Sequence, residues 1–309
     1  MVPIGLQKNN QHLIIDQLGG GIAEYYIEDK KTREDIIYGY QDRDHKGAST
    51  MGDVLFPFPG RVKNGKYKFA GKNYRLSGVD IKDGQAIHGF AKNSDWQIIE
   101  KHQDRVIIEF NIKKDEYQKR GFPFSLKIRL NYQLASNGFS CLTMVENFGD
   151  SPAPFGLGFH PYFTLGEENI NSIKLKIRAK NLVEFDQNLI PTGKLISLNK
   201  ENDLDFGYPK AIGEREIDNC YFDLYFNQGV ATTEISSNQG RKIAIWQNRS
   251  FPYLQIYSAD TIGEKHARRG LAIEPQTCTG FAFNKPEFGL KILSPGKKFF
   301  GEWGVRRIN

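Results

Sequence analysis

Apolar and polar residues alternate one by one through Leu126-Lys-Ile-Arg-Leu-Asn-Tyr-Gln-Leu134, so that every second side chain is hydrophobic. A period of two marks a β-strand with one face buried and the other in water. The pattern recurs at residues 106–112, 173–177, 242–246 and 253–257, with Gly, Asn, Asp and Pro between the runs. Short strands separated by turn residues predict antiparallel sheets. No amphipathic helix longer than about three turns is evident, and no repeat of about 20 to 50 residues breaks the chain. The pattern predicts one all-β domain of stacked sheets over residues 1–309.

Turn chemistry adds detail. Asn64-Gly65, within Lys63-Asn-Gly-Lys-Tyr67, predicts a two-residue hairpin, and residues 68–74 predict a second turn. Gly19-Gly20-Gly21 follows an apolar run, but neither a helix nor a Gly-Lys-Ser/Thr comes after it. A bulge or tight turn is therefore expected there rather than a phosphate loop.

Composition narrows the class. With 309 residues, 39% hydrophobic and 13% aromatic, the chain has enough apolar material for a sizeable core. The net charge of +6, from 42 basic and 36 acidic residues, is spread along the chain. Arg268-Arg269, Lys297-Lys298 and Arg306-Arg307 are isolated pairs outside any nucleic-acid-binding pattern, so a solvated surface is expected and no nucleic-acid partner. No apolar run reaches the roughly 18 residues of a membrane span, and residues 1–10 lack a charged start followed by an apolar stretch. Neither a membrane partner nor export is expected. Cys141, Cys220 and Cys278 are far apart without a Cys-x-x-Cys spacing, which predicts reduced thiols in the cytoplasm and no zinc site.

Two ionisable residues each stand directly before a proline: His160 before Pro161, and Glu274 before Pro275. Proline biases its predecessor towards extended geometry and lacks a backbone donor, which predicts that each side chain sits where a strand ends. Held rigidly among aromatic residues, they can form an acid and base pair, the carboxyl pKa raised by burial and both groups poised near neutral pH. The plain structural alternative is two satisfied polar groups at strand ends. Of the other histidines, His12, His45, His102 and His266 read as surface residues, the last three in charged neighbourhoods. His88 and His160 lie in apolar, glycine-rich settings and require hydrogen-bond partners if buried. Phe90, Trp96, Phe159, Tyr162 and Phe163 are candidates to stack on the apolar face of a sugar. A zinc site of His88, His160 and an acid lacks the usual paired-histidine spacing, and no Gly-x-Ser-x-Gly supports a serine nucleophile. A glycosidase pair, Glu274 with Asp218 or Glu146, stays open.

Taken in order, several segments resemble the aldose 1-epimerases, or galactose mutarotases. They are Ile36-Ile-Tyr-Gly-Tyr40, residues 55–67 around Arg61, Ile87-His-Gly-Phe90, Gly158-Phe-His-Pro-Tyr-Phe163, Ile217-Asp-Asn-Cys-Tyr-Phe222, residues 272–278 around Glu274, and Leu293-Ser-Pro-Gly-Lys297. The resemblance covers nearly the full length. It implies a large antiparallel β-sandwich. It also implies Glu274 as general base, His160 as general acid, and His88, Arg61 and Asp218 as ligands of sugar hydroxyls. The implied activity is interconversion of the α and β anomers of a free aldohexose, galactose or glucose, with no metal, nucleotide or other cofactor. The expected partner is a small-molecule sugar, and the expected assembly a monomer or homodimer.

Two positions depart from the pattern. Many relatives carry Asn before the arginine, where this chain has Gly60, and Thr277-Cys-Thr-Gly-Phe-Ala282 replaces a continuation rich in proline and asparagine. The resemblance extends to a phosphate-specific branch through His88-Gly-Phe-Ala-Lys-Asn-Ser-Asp-Trp96. A hexose 6-phosphate is thus an alternative substrate, with Arg61, Lys63 and Lys92 as candidate phosphate cations. A carbohydrate-binding protein of the same fold without turnover is the alternative from another class.

Overall fold

Leu126–Ala135 forms a strand paired with Arg105–Ile112 on one side and Gly138–Asn147 on the other, and its apolar positions, Leu126 to Leu134, are fully buried. The structure, a computed structural model, describes residues 3–29, 32–39 and 50–308. His45 and Tyr40 lie outside the described residues.

Among the described residues two large antiparallel sheets dominate. The ten-stranded sheet runs Gln97–Lys101, Arg105–Ile112, Leu126–Ala135, Gly138–Asn147, Lys298–Arg307, Lys242–Asn248, Val230–Ser236, Lys174–Ile177 and Lys210–Ala211, with Phe226–Asn227 added beside Val230–Ser236. The twelve-stranded sheet begins with Ile4–Lys8, Gln11–Ile15, Ile22–Asp29 and Thr32–Ile37. It continues through Tyr162–Phe163, Leu271–Gln276, Tyr253–Tyr257, Asp218–Leu224, Ala179–Phe185 and Pro191–Ser197, and Val54–Leu55 and Gly158–Phe159 join it from the side. This is the expected large antiparallel β-sandwich. One apolar cluster fills it, uniting Ile128, Leu130 and Trp303 of one sheet with Tyr25, Leu254, Ile256 and Ile273 of the other. Each such side chain contributes on the order of 1.5–3 kcal/mol by leaving water.

Alternation then decides where chemistry can sit. Leu254, Ile256 and Ile273 enter the core, so Gln255, Tyr257 and Glu274 must face away from it. A small three-stranded sheet, Arg61–Val62 with Gln85–Ile87 and Asp80–Lys82, supplies residues that overhang that outward face. The longest α-helix among the described residues is Lys114–Tyr117, and no helix there is long and apolar enough to cross a membrane.

Three turns refine the sequence reading. Gly19 and Gly20 make a tight turn between Gln11–Ile15 and Ile22–Asp29, as expected; a Cβ on Gly20 would lie 2.5 Å from the Trp96 ring. Asn64 and Gly65 adopt the left-handed conformations that their dipeptide favours, yet they do not join paired strands. Asn284 explains why: its side chain accepts from Lys63 N at 2.8 Å and donates to Lys66 O at 2.7 Å, taking up groups a hairpin would have paired. The hairpin forms at the second turn instead, Ala70-Gly71, between Lys66–Phe69 and Lys72–Arg75. Pro275 does not end its strand either. Leu271–Gln276 runs through it, because Ile273 N and Thr277 N donate to Pro161 O and Leu157 O, and the donor Pro275 lacks would have faced the break between Gly158–Phe159 and Tyr162–Phe163. Before Pro161 the expectation holds, for His160 occupies that break.

Candidate active site

The outward face of three adjacent strands forms a polar floor. In register, Glu274 stands opposite Gln255, and Tyr257 stands opposite Asp218. Gln255 Nε2 donates to Asp218 Oδ1 at 2.6 Å, and Gln276 Nε2 donates to Glu274 Oε2 at 2.9 Å. His160 closes the row from the neighbouring break, its backbone tied to Asp53 O and Gly52 N. Its Nε2 lies 3.3 Å from Glu274 Oε1, and both side chains are buried. The imidazole stacks on Tyr162, with ring centroids 5.0 Å apart, and meets the edge of His88 at 5.6 Å. His160 Nε2 thus has the partner that burial demands, while Nδ1 has none among the described residues.

His88 and Arg61 come from the overhanging sheet. His88 has φ of 61°, donates its N–H to Gly60 O, and accepts Gly60 N–H at Nδ1, 3.2 Å away. An acceptor Nδ1 leaves the ring proton of neutral His88 on Nε2. The mostly buried Arg61 guanidinium lies 3.6 Å from the exposed Asp83 carboxylate. All five residues assigned by resemblance, Arg61, His88, His160, Asp218 and Glu274, line one cavity of about 340 Å³. That volume is within the roughly 300–1,000 Å³ typical of small-ligand sites.

Burial governs the electrostatics. It raises the Glu274 carboxyl well above the ordinary carboxylate range, reinforced by the negative charge of Asp218 and opposed by the Gln276 hydrogen bond. Asp218 is raised in the same way, against the pull of Arg61 and Gln255; it stays open to the water of the cavity, so its shift is the weaker of the two. Burial also pushes His160 down to about 3, with Lys92 and Lys82 adding to the effect against an opposing backbone hydrogen bond. His88 falls well below its usual value for the same first reason. The expectation that both members of the pair sit near neutral pH is therefore corrected for His160. Burial penalises both charged forms, so at 3.3 Å the two groups titrate as one coupled pair, with the carboxyl raised and the imidazole lowered.

Other expectations change. Phe90, Trp96, Phe159, Tyr162 and Phe163 are fully buried and do not line the cavity, whose aromatic walls are Phe185, Tyr257 and Phe281. Phe159 could not do otherwise: neighbours on an extended chain point to opposite faces, and His160 takes the cavity side. Of the candidate phosphate cations only Arg61 lines the cavity; Lys92 is buried against Asp80 at 2.6 Å, and Lys82 stands at the mouth instead. His12 stacks on Tyr26, and His266 is half-buried with Nδ1 2.8 Å from the Tyr38 hydroxyl, so among the described residues only His102 is a plain surface histidine. Glu146 faces Lys298 on the other sheet, which removes it as a partner for Glu274. Sequence reasoning missed Lys82, Gln255, Tyr257 and Gln276. A signal was present for the last three, because residues two apart share a face with one another and with Glu274.

The departures at Gly60 and residues 277–282 are one local feature. A Cβ on Gly60 would lie 2.5 Å from Gly280 Cα, and Phe281 N donates to Arg61 O, so the two backbones meet at the cavity wall and present Phe281 to it.

Known proteins are similar to this chain along nearly its whole length. YihR of Escherichia coli (strain K12), described as uncharacterized, is 29% identical over 308 residues, covering 98% of this chain and 94% of that protein. The galactose mutarotase of Bos taurus is 24% identical, covering 95% and 90%. A solved GalM/aldose epimerase homologue from C. elegans shares the fold with a TM-score of 0.86 at 21% identity, covering 100% and 99% of the two chains. A family model described as aldose 1-epimerase matches residues 4–305, and the chain accordingly belongs to the aldose 1-epimerase family.

Proposed function

We propose that this epimerase is a mutarotase acting on a free aldohexose, galactose or glucose, with Glu274 as base and His160 as acid. The observation that best supports the reading is the 3.3 Å approach of His160 Nε2 to Glu274 Oε1 on the floor of a cavity edged by Arg61, His88 and Asp218. The name of the bovine relative supports galactose.

The pair holds one proton. Its reactive form places that proton on His160, and hydroxyl groups of the bound sugar supply hydrogen bonds that the buried charges otherwise lack. Glu274 then takes the proton of the anomeric hydroxyl while His160 gives its own to the ring oxygen, the bond from C1 to O5 breaks, and the open-chain aldehyde forms. Rotation about the C1–C2 bond presents the other face of the aldehyde. On closure O5 attacks C1, His160 recovers its proton and Glu274 returns one to O1, so both groups end as they began. Arg61, His88 and Asp218 hold the remaining hydroxyls while C1 turns. The reaction calls for no cofactor or metal. With it we propose a sugar as the partner, without nucleic acid or membrane, and one domain over residues 1–309 acting as a monomer or homodimer. The free, buried thiols of Cys141, Cys220 and Cys278 support a cytoplasmic setting.

Polarimetry of freshly dissolved α-galactose and α-glucose tests the proposal. Faster decay of rotation with the protein than in buffer is expected, and no acceleration with any common aldose would sink it. Glucose 6-phosphate belongs in the same experiment, because Arg61 and Lys82 both line the cavity. A higher kcat/KM for the phosphorylated sugar would replace the free-hexose reading.

A further inference from the structure

Gln276 follows Glu274 by two residues on Leu271–Gln276, so both side chains emerge on the cavity face. It is 3% exposed, and its amide donates to only one carboxyl oxygen, Oε2. The other, Oε1, is the one beside His160. Room for this contact is built into the neighbouring strand: Gly158 is paired with Gln276, and a Cβ there would lie 3.1 Å from Gln276 Cγ. An oxygen that already accepts an amide N–H is the poorer site for a proton.

We infer that Gln276 is a positioning residue for the epimerase reaction: it occupies Oε2 and so confines proton transfer to Oε1, the oxygen next to His160. The inference rests on the base role proposed for Glu274. The amide also stabilises the carboxylate over the acid, so it sets how readily Glu274 ionises. The other groups facing that carboxyl are His160 from the neighbouring break, Tyr162 from Tyr162–Phe163, Asp218 and Cys220 from Asp218–Leu224, and Tyr257 from Tyr253–Tyr257. Arg61 and Lys82 act on Asp218 across the cavity. Gln276 is the one among them that donates a hydrogen bond to Oε2.

The test uses Q276M, which keeps the length and removes the donor. Two readouts are followed against pH: kcat and KM by polarimetry, and ionisation of Glu274 by infrared difference spectra of each protein against its E274Q counterpart. A fall in kcat of about 10- to 100-fold is expected, with KM within about twofold. The alkaline limb of the rate profile and the infrared titration should both move upward, by about one pH unit. G158A, which crowds Gln276 without removing its amide, should move the same readouts in the same direction by less, and it carries the test if Q276M does not fold. Unchanged kcat and titration overturn the inference. So does a parallel loss of kcat and binding with an unmoved titration, the mark of a merely structural residue. Full turnover in E274Q is a different result, and it removes the base role of Glu274 itself.

Discussion

Glu234 and Glu274 occupy comparable positions, each on the outward face of a central strand in one of the two large sheets. Glu234 lies between Lys176 and Lys242, at 3.0 and 2.7 Å, with water around the cluster. Partial burial raises its pKa, but hydrogen bonds from the two lysines outweigh that and leave it below its usual value. Glu109, on Arg105–Ile112 of the same sheet, is lowered by Asn111 and Arg129 against the opposing effect of burial. Among the described residues no lysine or arginine contacts Glu274, which is roofed by the three-stranded sheet, by Phe185 at the end of Ala179–Phe185 and by the loop carrying Phe281, so burial prevails and its pKa rises. The strand fixes which way a carboxyl points, and what lies above it decides whether it is a solvated ion or a group that can exchange protons.

The largest effect separates these two glutamates by function. E274Q keeps shape and burial but removes the proton acceptor, and kcat in the polarimetric assay should fall by about 10²- to 10⁴-fold with little change in KM. E234Q should turn over as the parent does. The contrast breaks if E274Q retains most of its kcat, or if E234Q loses a comparable factor.

That contrast also marks how far the sequence could be read. Strands were legible because a period of two is local: Tyr253–Tyr257 and Leu126–Ala135 fall on the runs that predicted them. The acid and base candidates were legible because each stands in a short motif whose order resembles a known family. The outward face of Tyr253–Tyr257 read only as wet, and nothing in those five residues says that Arg61, Lys82 and Phe281 cover it. Those residues arrive from remote segments, and backbone contacts such as Phe281 N to Arg61 O bring them together. Pro275 was misread as a strand end for a similar reason. A missing donor is harmless where the partner strand is interrupted, and that interruption belongs to residues 160–161.

Acid stability sharpens the comparison at intermediate size. His160 has a folded pKa of about 3 against 6.5 for a free imidazole. Between those values the unfolded chain binds the extra proton and the folded one does not, so stability is full above about 6.5 and is lost as pH falls towards 3. His88 is lowered too and adds to the same window. Glu234, also lowered, acts later: its contribution is present above the ordinary carboxylate pKa and is lost only below it. The raised carboxyls of Glu274 and Asp218 act in the opposite sense, their contribution growing as pH falls, so the comparison between proteins isolates His160. In urea unfolding at pH 7, 6 and 5, H160Q should drop less, or rise more, than the parent, and E234Q should follow the parent. An equal change in H160Q would mean that His160 is not held neutral in the folded protein.

The smallest effect belongs to the open face, and its smallness is the point. K176A removes one of two lysines from Glu234, whose side chain then keeps Lys242 at 2.7 Å. With the lysine side chains 30% and 39% exposed, water screens what is lost, and a cost of about 0.2–1 kcal/mol in urea unfolding is expected. Raising the salt to 1 M shortens the screening length to about 3 Å, so the difference between K176A and the parent should shrink further. Polarimetric turnover should not change. A salt-insensitive loss above about 2 kcal/mol would place Glu234 in an environment as desolvated as that of Glu274. The raised carboxyl in the cavity would then no longer follow from its roof, because an unroofed strand position would desolvate a charge as strongly.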